Sequence, residues 1–170
     1  MRPGDVYNSR SGLKVEIGNT DAEGRLILAD TLHYADNFKP KLLIDFATLT
    51  GAARVALGPD LPAYYTHSNK LADIIDKSSD KIEDPLWRMP LWKPYESWLN
   101  SNVADTNNIS TGSFAGSIIA ALFLNKFINK TKNWVHIDTY AWSDKNLPGH
   151  SSGGDILGIR TIFRTIREYI

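Results

Sequence analysis

The chain has 170 residues, 42% of them hydrophobic and 22% charged, the make-up of an ordinary globular domain long enough to bury a core. Lysine plus arginine equals aspartate plus glutamate at 19 each, so the net charge of zero gives no reason to expect nucleic acid or an anionic membrane as partner. With no cysteine there is no disulfide and no thiolate metal site, which fits a reducing cytoplasm. Met1 to Asp5 lacks the apolar core of a signal peptide, and the most apolar run, Phe114 to Leu124, is too short to span a bilayer. A cytoplasmic location and no membrane partner are expected.

Arg2-Pro3-Gly4-Asp5 reads as a turn. Leu13, Val15 and Ile17 alternate with polar residues, the pattern of a strand with one buried face. A helix follows from about Glu23 to Ala35. Lys41 to Phe46 is a short apolar run after Pro40 and reads as a buried strand. Thr48 to Gly51 leads into a segment of small residues ending at Gly58. Ala63 to Thr66 is a candidate strand, and Asn69 to Ser78 a short helix with Leu71, Ile74 and Ile75 on one side. Pro85 to Pro94 is rich in Trp and Pro and reads as an ordered loop. Trp98 to Thr111, with four Asn, reads as irregular. Phe114 to Phe127 is apolar nearly all round and predicts a buried helix. Trp134 to Asp138 is a strand, and Leu147 to Gly154 a loop. In the last helix Ile159, Ile162, Phe163, Ile166 and Ile170 form one face, with Arg160, Arg164 and Arg167 outside it. Strands alternate with helices, so the fold class expected is α/β.

The junction at residues 19–25 reads Asn-Thr-Asp-Ala-Glu-Gly-Arg. Its plain reading is a capping box, with Thr20 as N-cap and Glu23 reaching back to the Thr20 amide. Two features resist that reading. Gly24 costs a helix roughly 1 kcal/mol relative to alanine. Arg25 sets a cation near the positive helix end. The chemical reading is a hard-cation site, with Asp21 and Glu23 as oxygen ligands and Arg25 holding an anion. Two carboxylates do not complete such a site, so further ligands have to come from elsewhere.

Other clusters have plainer readings. Trp134, His136 and Asp138 share a strand face, where a hydrogen-bonded polar set is the default and a metal pair the alternative. His150, Ser151 and Asp155 hold the residue types of a hydrolase triad, but no nucleophile-elbow pattern surrounds the serine. His33 and His67 have no motif around them. Trp87, Trp92 and Trp98 interleave with Pro85, Pro90 and Pro94, which reads as a packed loop or part of a subunit interface.

Asn19 to Arg25, followed by Leu26-Ile27-Leu28-Ala29-Asp30, resembles the signature of the leucyl aminopeptidase (cytosol aminopeptidase) family. Arg2 to Val6, Ala47 to Ala52 with Val55 to Gly58, Trp134 to Asp138 and Gly158 to Arg160 resemble other segments of that family, so the likeness covers nearly the whole chain. Ser152 to Leu157 departs from the proline- and glycine-containing stretch usual there. The resemblance implies a layered α/β/α fold with a mixed central sheet. It also implies a metal-dependent aminopeptidase that releases leucine-like N-terminal residues from peptides through a water activated by two divalent ions, manganese or zinc. By position, Asp21 (through carboxylate and backbone carbonyl) and Glu23 match metal ligands. Arg25 matches the catalytic arginine that holds a bicarbonate, and Asn19, Thr48, Leu49 and Gly51 match the surroundings of the bound peptide. The family assembles as hexamers. Its remaining metal ligands, a lysine and two aspartates, and a second, oxyanion-stabilising lysine lie upstream of the signature. Residues 1–170 are therefore expected to be the C-terminal portion of the catalytic domain, lacking the N-terminal domain, and to be inactive alone. The alternative is a non-catalytic binding or assembly module derived from the same fold.

Overall fold

The computed structural model describes residues 1–146, 149 and 151–170. In chain order the elements are β1 (Val6–Asn8), β2 (Lys14–Glu16), a 3-10 turn (Thr20–Ala22), α1 (Glu23–Asp36), β3 (Leu43–Ala47), α2 (Gly51–Leu57), β4 (Ala63–Tyr65) and α3 (Asn69–Ile82). There follow β5 (Trp87–Arg88), a second 3-10 stretch (Lys93–Leu99), β6 (Thr106–Asn107), α4 (Gly116–Asn125), β7 (Trp134–Asp138), β8 (Trp142–Ser143), β9 (Gly153–Gly154) and α5 (Ile159–Tyr169). The protein is α/β with mixed sheets, as the alternation of patterns predicts. It divides into two compact units, residues 1–43 with 91–132 and residues 44–90 with 133–170.

In the first unit, β2 pairs antiparallel with β1, Tyr7 lying opposite Val15, and parallel with β6, Val15 opposite Thr106. The expected alternation holds: Val15 and Ile17 are buried, while Lys14 is exposed. α1 buries Arg25, Leu26, Ala29, Leu32 and Asp36, the three- and four-residue spacing of one helix face. It packs on α4, whose residues from Ile119 to Leu124 are all buried. Tyr7 donates its hydroxyl proton to Asp30 on α1, and that hydrogen bond, with burial, raises the phenol's pKa.

Asp36 ends α1 as a buried carboxylate, 1% exposed. It accepts the backbone N–H groups of Asn129 (2.8 Å), Lys130 (2.9 Å) and Thr131 (2.7 Å). Burial pushes its pKa up, but the Thr131 side chain and these three amides outweigh that and hold it below the ordinary carboxylate value. A folded-state pKa below the unfolded one means stabilisation that is complete above about pH 4 and lost as pH falls through the folded pKa. Asp36→Ala is expected to lower stability at pH 7 by about 2 kcal/mol, since it removes three hydrogen bonds to a carboxylate and orphans the buried Thr131 N–H, while the Asn129 and Lys130 amides lie on exposed residues. The loss should shrink between pH 5 and pH 2, which urea midpoints across that range will read.

The second unit holds a four-stranded sheet in the order β3-β7-β4-β5. β4 runs antiparallel to β7, with Tyr64 opposite Ile137, and parallel to β5. All of β4 and β7 is buried, the mark of central strands. α3 packs against α5. Asp84, 3% exposed, fixes the start of α5 by accepting the N–H groups of Gly158 (2.9 Å), Arg160 (2.9 Å) and Thr161 (3.1 Å). Gly158 has φ +80°, and a Cβ there would lie 2.5 Å from Leu86 Cδ2, so only glycine fits.

Several expectations change. The small-residue run after Thr50 is a helix, α2, because Thr50 caps it by accepting the Ala53 N–H. The loop at 85–94 includes strand β5, and the Asn-rich stretch includes β6. The apolar face assigned to α5 is largely open: only Ile162 of that set is buried, while Ile159 is 41%, Phe163 62% and Ile170 71% exposed. Thr161 and Thr165 fill the buried side instead, and Thr165 donates its hydroxyl proton to the Thr161 carbonyl. Of the 147–154 loop, Leu147, Pro148 and His150 lie outside the described residues, and so does the triad reading that needs His150.

Candidate functional site

The signature segment leaves β2 and enters α1 through one 3-10 turn. The cap is Asn19, not Thr20: the Asn19 side chain accepts the Asp21 N–H at 2.9 Å, and Ala22 precedes α1 with no side-chain cap. The extra turn shifts the frame, so the capping box does not form. Neither the Asp21 nor the Glu23 carboxylate has a hydrogen-bond or ion-pair partner among the described residues, and both residues are exposed. Arg25 is the opposite case. It is 9% exposed, and its Nη1 donates to the Asn108 carbonyl at 2.7 Å.

Asn108 is the residue that sequence reasoning missed here. It is fully buried. Its Oδ1 accepts the N–H groups of Gly18 (2.8 Å) and Asn19 (3.2 Å), while its Nδ2 donates to the carbonyls of Asn19 (2.8 Å) and Ala22 (3.4 Å). One amide side chain thus holds both ends of the turn that presents Asp21. Gly18 is required beside it, because a Cβ would lie 2.5 Å from Asn107 Oδ1. The signal in the sequence was the run of Asn in a stretch with no helix or strand pattern, where a buried amide has loops to satisfy.

Thr48, Leu49 and Gly51 lie in the second unit, between β3 and α2. With Thr50, Arg54 and residues 139–142 they line an open cleft of about 440 Å³. Arg54 lies over the Tyr140 ring, 4.2 Å from its centroid. Asp138 sets the loop: its Oδ1 accepts the N–H groups of Leu49 (3.2 Å) and Thr50 (3.0 Å), and its Oδ2 accepts the Thr50 hydroxyl proton (2.5 Å). The remaining polar residues of that strand face are also bonded. Asp45 accepts from Trp134 Nε1 at 2.7 Å and lies 2.6 Å from His136 Nδ1. The hydrogen-bonded reading of Trp134, His136 and Asp138 holds. Tyr140, which lines the cleft, and Asp138, which holds its loop, carried no spacing signal, because strand order rather than sequence distance brings them there.

Divalent cations take hard oxygen donors, and two exposed, unpartnered carboxylates on a fixed turn have that chemistry. Among the described residues, however, no three His, Asp or Glu side chains come together as a ligand set. Asp21 and Glu23 therefore fit such an ion in kind and leave its coordination unfilled. No helix among the described residues is long and apolar enough to cross a membrane.

A family model described as the catalytic domain of the cytosol aminopeptidase family matches residues 1–163. A probable cytosol aminopeptidase of Prochlorococcus marinus subsp. pastoris is 47% identical over 171 residues, covering 99% of this chain and 34% of the relative. One of Geobacter sp. (strain M21) is 44% identical over 170 residues, with the same coverage of both chains. The crystal structure of a cytosol aminopeptidase from Coxiella burnetii matches all of this chain and 37% of that one, at 47% identity and a TM-score of 0.94. The chain thus spans about a third of the length of the curated relatives it matches. A family model that matches residues 1–163 and a relative 47% identical over 99% of the chain lead to one assignment: this chain belongs to the cytosol aminopeptidase family.

Proposed function

We propose that residues 1–170 are the C-terminal portion of the catalytic domain of a metal-dependent aminopeptidase that releases leucine-like N-terminal residues from peptides. The observation that carries this reading is the signature turn, where Asp21 and Glu23 are exposed without partners while Asn108 holds the backbone between them and β2. In the complete enzyme Asp21 and Glu23 would hold divalent ions, manganese or zinc. Such a pair supplies a nucleophilic water at neutral pH and polarises the scissile carbonyl. The chain's own part is to bind and orient. Arg25, whose Nη1 is held by the Asn108 carbonyl, would hold an anion, bicarbonate in this reading. Thr48, Leu49 and Gly51 shape the cleft for the peptide, with Asn19 beside the metal ligands. The reading carries peptide substrates, a hexameric assembly and a cytoplasmic location with it.

The same reading makes the isolated chain inactive, because its two carboxylates leave a two-ion site incomplete. Hydrolysis of a leucine anilide with added manganese or zinc tests this, with the Coxiella burnetii enzyme as positive control. No turnover is expected. Metal-dependent turnover abolished by Asp21→Ala would mean that this chain completes the site itself, and the partial-site reading would fall. Asp21→Ala and Glu23→Ala should each change the urea midpoint by less than about 0.5 kcal/mol, since neither carboxylate has a partner to lose. A large destabilisation by either would make these residues structural and remove them from the proposed site.

A further inference from the structure

The open face of α5 borders a groove of about 700 Å³ within the second unit, a volume in the range of small-molecule sites. Its floor is apolar. Ile82 at the end of α3 meets Ile159 and Phe163 on α5, and the last two are 41% and 62% exposed. Its rim is cationic, carrying Arg160, Arg164 and Arg167 against the single carboxylate of Glu168.

The three arginines are not equally committed. Arg160 reaches only to 3.8 Å from Asp84 Oδ1, whose oxygen already accepts the Gly158 N–H. Arg164 pairs through Nη2 with Glu168 one turn on, but its Nε is buried with no hydrogen-bond partner. Arg167 is exposed and has no ion-pair partner among the described residues. A buried guanidinium donor without an acceptor is costly, and here it lies beside exposed apolar side chains. One ligand answers both features: an acceptor anion carried on an apolar body.

We propose that the α3–α5 groove is a binding site for amphiphilic carboxylates, acids whose alkyl chain lies along Ile82, Ile159 and Phe163 while the carboxylate accepts from exposed Arg167 and, once the Arg164 side chain turns outward, from Arg164 Nε. The site is independent of the aminopeptidase reading, since none of its residues belongs to the signature turn or to the cleft at Thr48–Gly51.

The test titrates the full 170-residue chain with octanoate and, separately, with octylammonium, following backbone amides and arginine Nε–H signals by NMR. Octanoate is expected to shift the Arg164 Nε–H signal and the amides of residues 159–168, and octylammonium to leave them in place. Arg164→Gln should weaken octanoate by about tenfold, the loss of one charge-assisted hydrogen bond. Arg167→Gln, at an exposed position that keeps the fold intact, should weaken it in the same direction. Phe163→Ser should remove the dependence of affinity on chain length between hexanoate and decanoate. Equal binding of octanoate and octylammonium would overturn the proposal, as would unchanged affinity in both arginine variants. So would a concentration-dependent dimer in sedimentation that Phe163→Ser dissolves, since the face would then be a contact between copies.

Discussion

Asn108→Ala is expected to lower the stability of the chain by about 3 kcal/mol, although the residue lies in a stretch with almost no regular structure. The reasoning is an accounting of polar groups. Asn108 is 0% exposed and bonds through both ends of its amide, accepting from Gly18 and Asn19 and donating to Asn19 and Ala22. Alanine fills less space and leaves two part-buried N–H groups and two part-buried carbonyls without their partner. Each buried group left so costs about 1–3 kcal/mol before relaxation. Relaxation here means that the turn from Gly18 to Ala22 loosens, and that turn sets where Asp21 and Glu23 stand. The backbone carbonyl that takes Arg25 Nη1 survives the substitution, but its position depends on the same anchored segment. Urea unfolding reads the stability, and hydrogen exchange at the Gly18 and Asn19 amides reads the turn. Asn102→Ala, an exposed change in the same stretch, should stay within about 0.5 kcal/mol of the parent. If Asn108→Ala matches Asn102→Ala, the turn is held by something other than this amide.

What the sequence made legible follows from what kind of interaction set each feature. Periodicity found β2 and α5, whose apolar residues recur at two and about 3.6 residues, whereas β4, α4 and β7 were legible from residue type and are buried throughout or nearly so. It misread the extent of burial on α5. Ile159 and Phe163 sit at helical spacing with Ile162 but belong to an open face, and the two threonines at Thr161 and Thr165 take the buried side, packing with their hydroxyls satisfied. A pattern scored on apolarity assigns such a helix the wrong inner face. α2 was hidden by its small residues, which carry no amphipathic signal, and was decided by the Thr50 cap. At the signature, residue type and spacing single out Asp21, Glu23 and Arg25 as candidates. They did not show that Asn19 rather than Thr20 is the cap, because that depends on an extra 3-10 turn. The residues that hold the two loops, Asn108 and Asp138, were beyond reach of local reading. Each acts on a segment 86 to 90 residues away in sequence, through bonds fixed only when the strands pair.

Asp138→Ala is expected to be the most disruptive change in the second unit, at about 3–5 kcal/mol, because it removes a 1% exposed side chain that takes three hydrogen bonds. Two come from the successive amides of Leu49 and Thr50, which point at one oxygen, and the third from the Thr50 hydroxyl. Thr50 uses that hydroxyl twice. It donates to Asp138 and accepts the Ala53 N–H as the N-cap of α2, so one carboxylate orients both the loop and the helix that follows. Asp138→Asn keeps an acceptor for the two amides, and a hydroxyl can turn to accept from the new NH2 group. The Asn variant should therefore recover more than half of the loss. Asp138→Leu fills a comparable volume without an acceptor, so a role confined to filling space would let Leu recover as much stability as Asn. Exchange at the Leu49 and Thr50 amides adds the local readout. In Asp138→Ala both should exchange faster than the Tyr64 amide in central β4, while in Asp138→Asn they stay close to the parent. The cleft lined by Thr48, Leu49, Gly51 and Arg54 has its shape from this loop. The shape of that cleft thus depends on a residue that lies behind the loop, on the sheet face that Asp45 and His136 share.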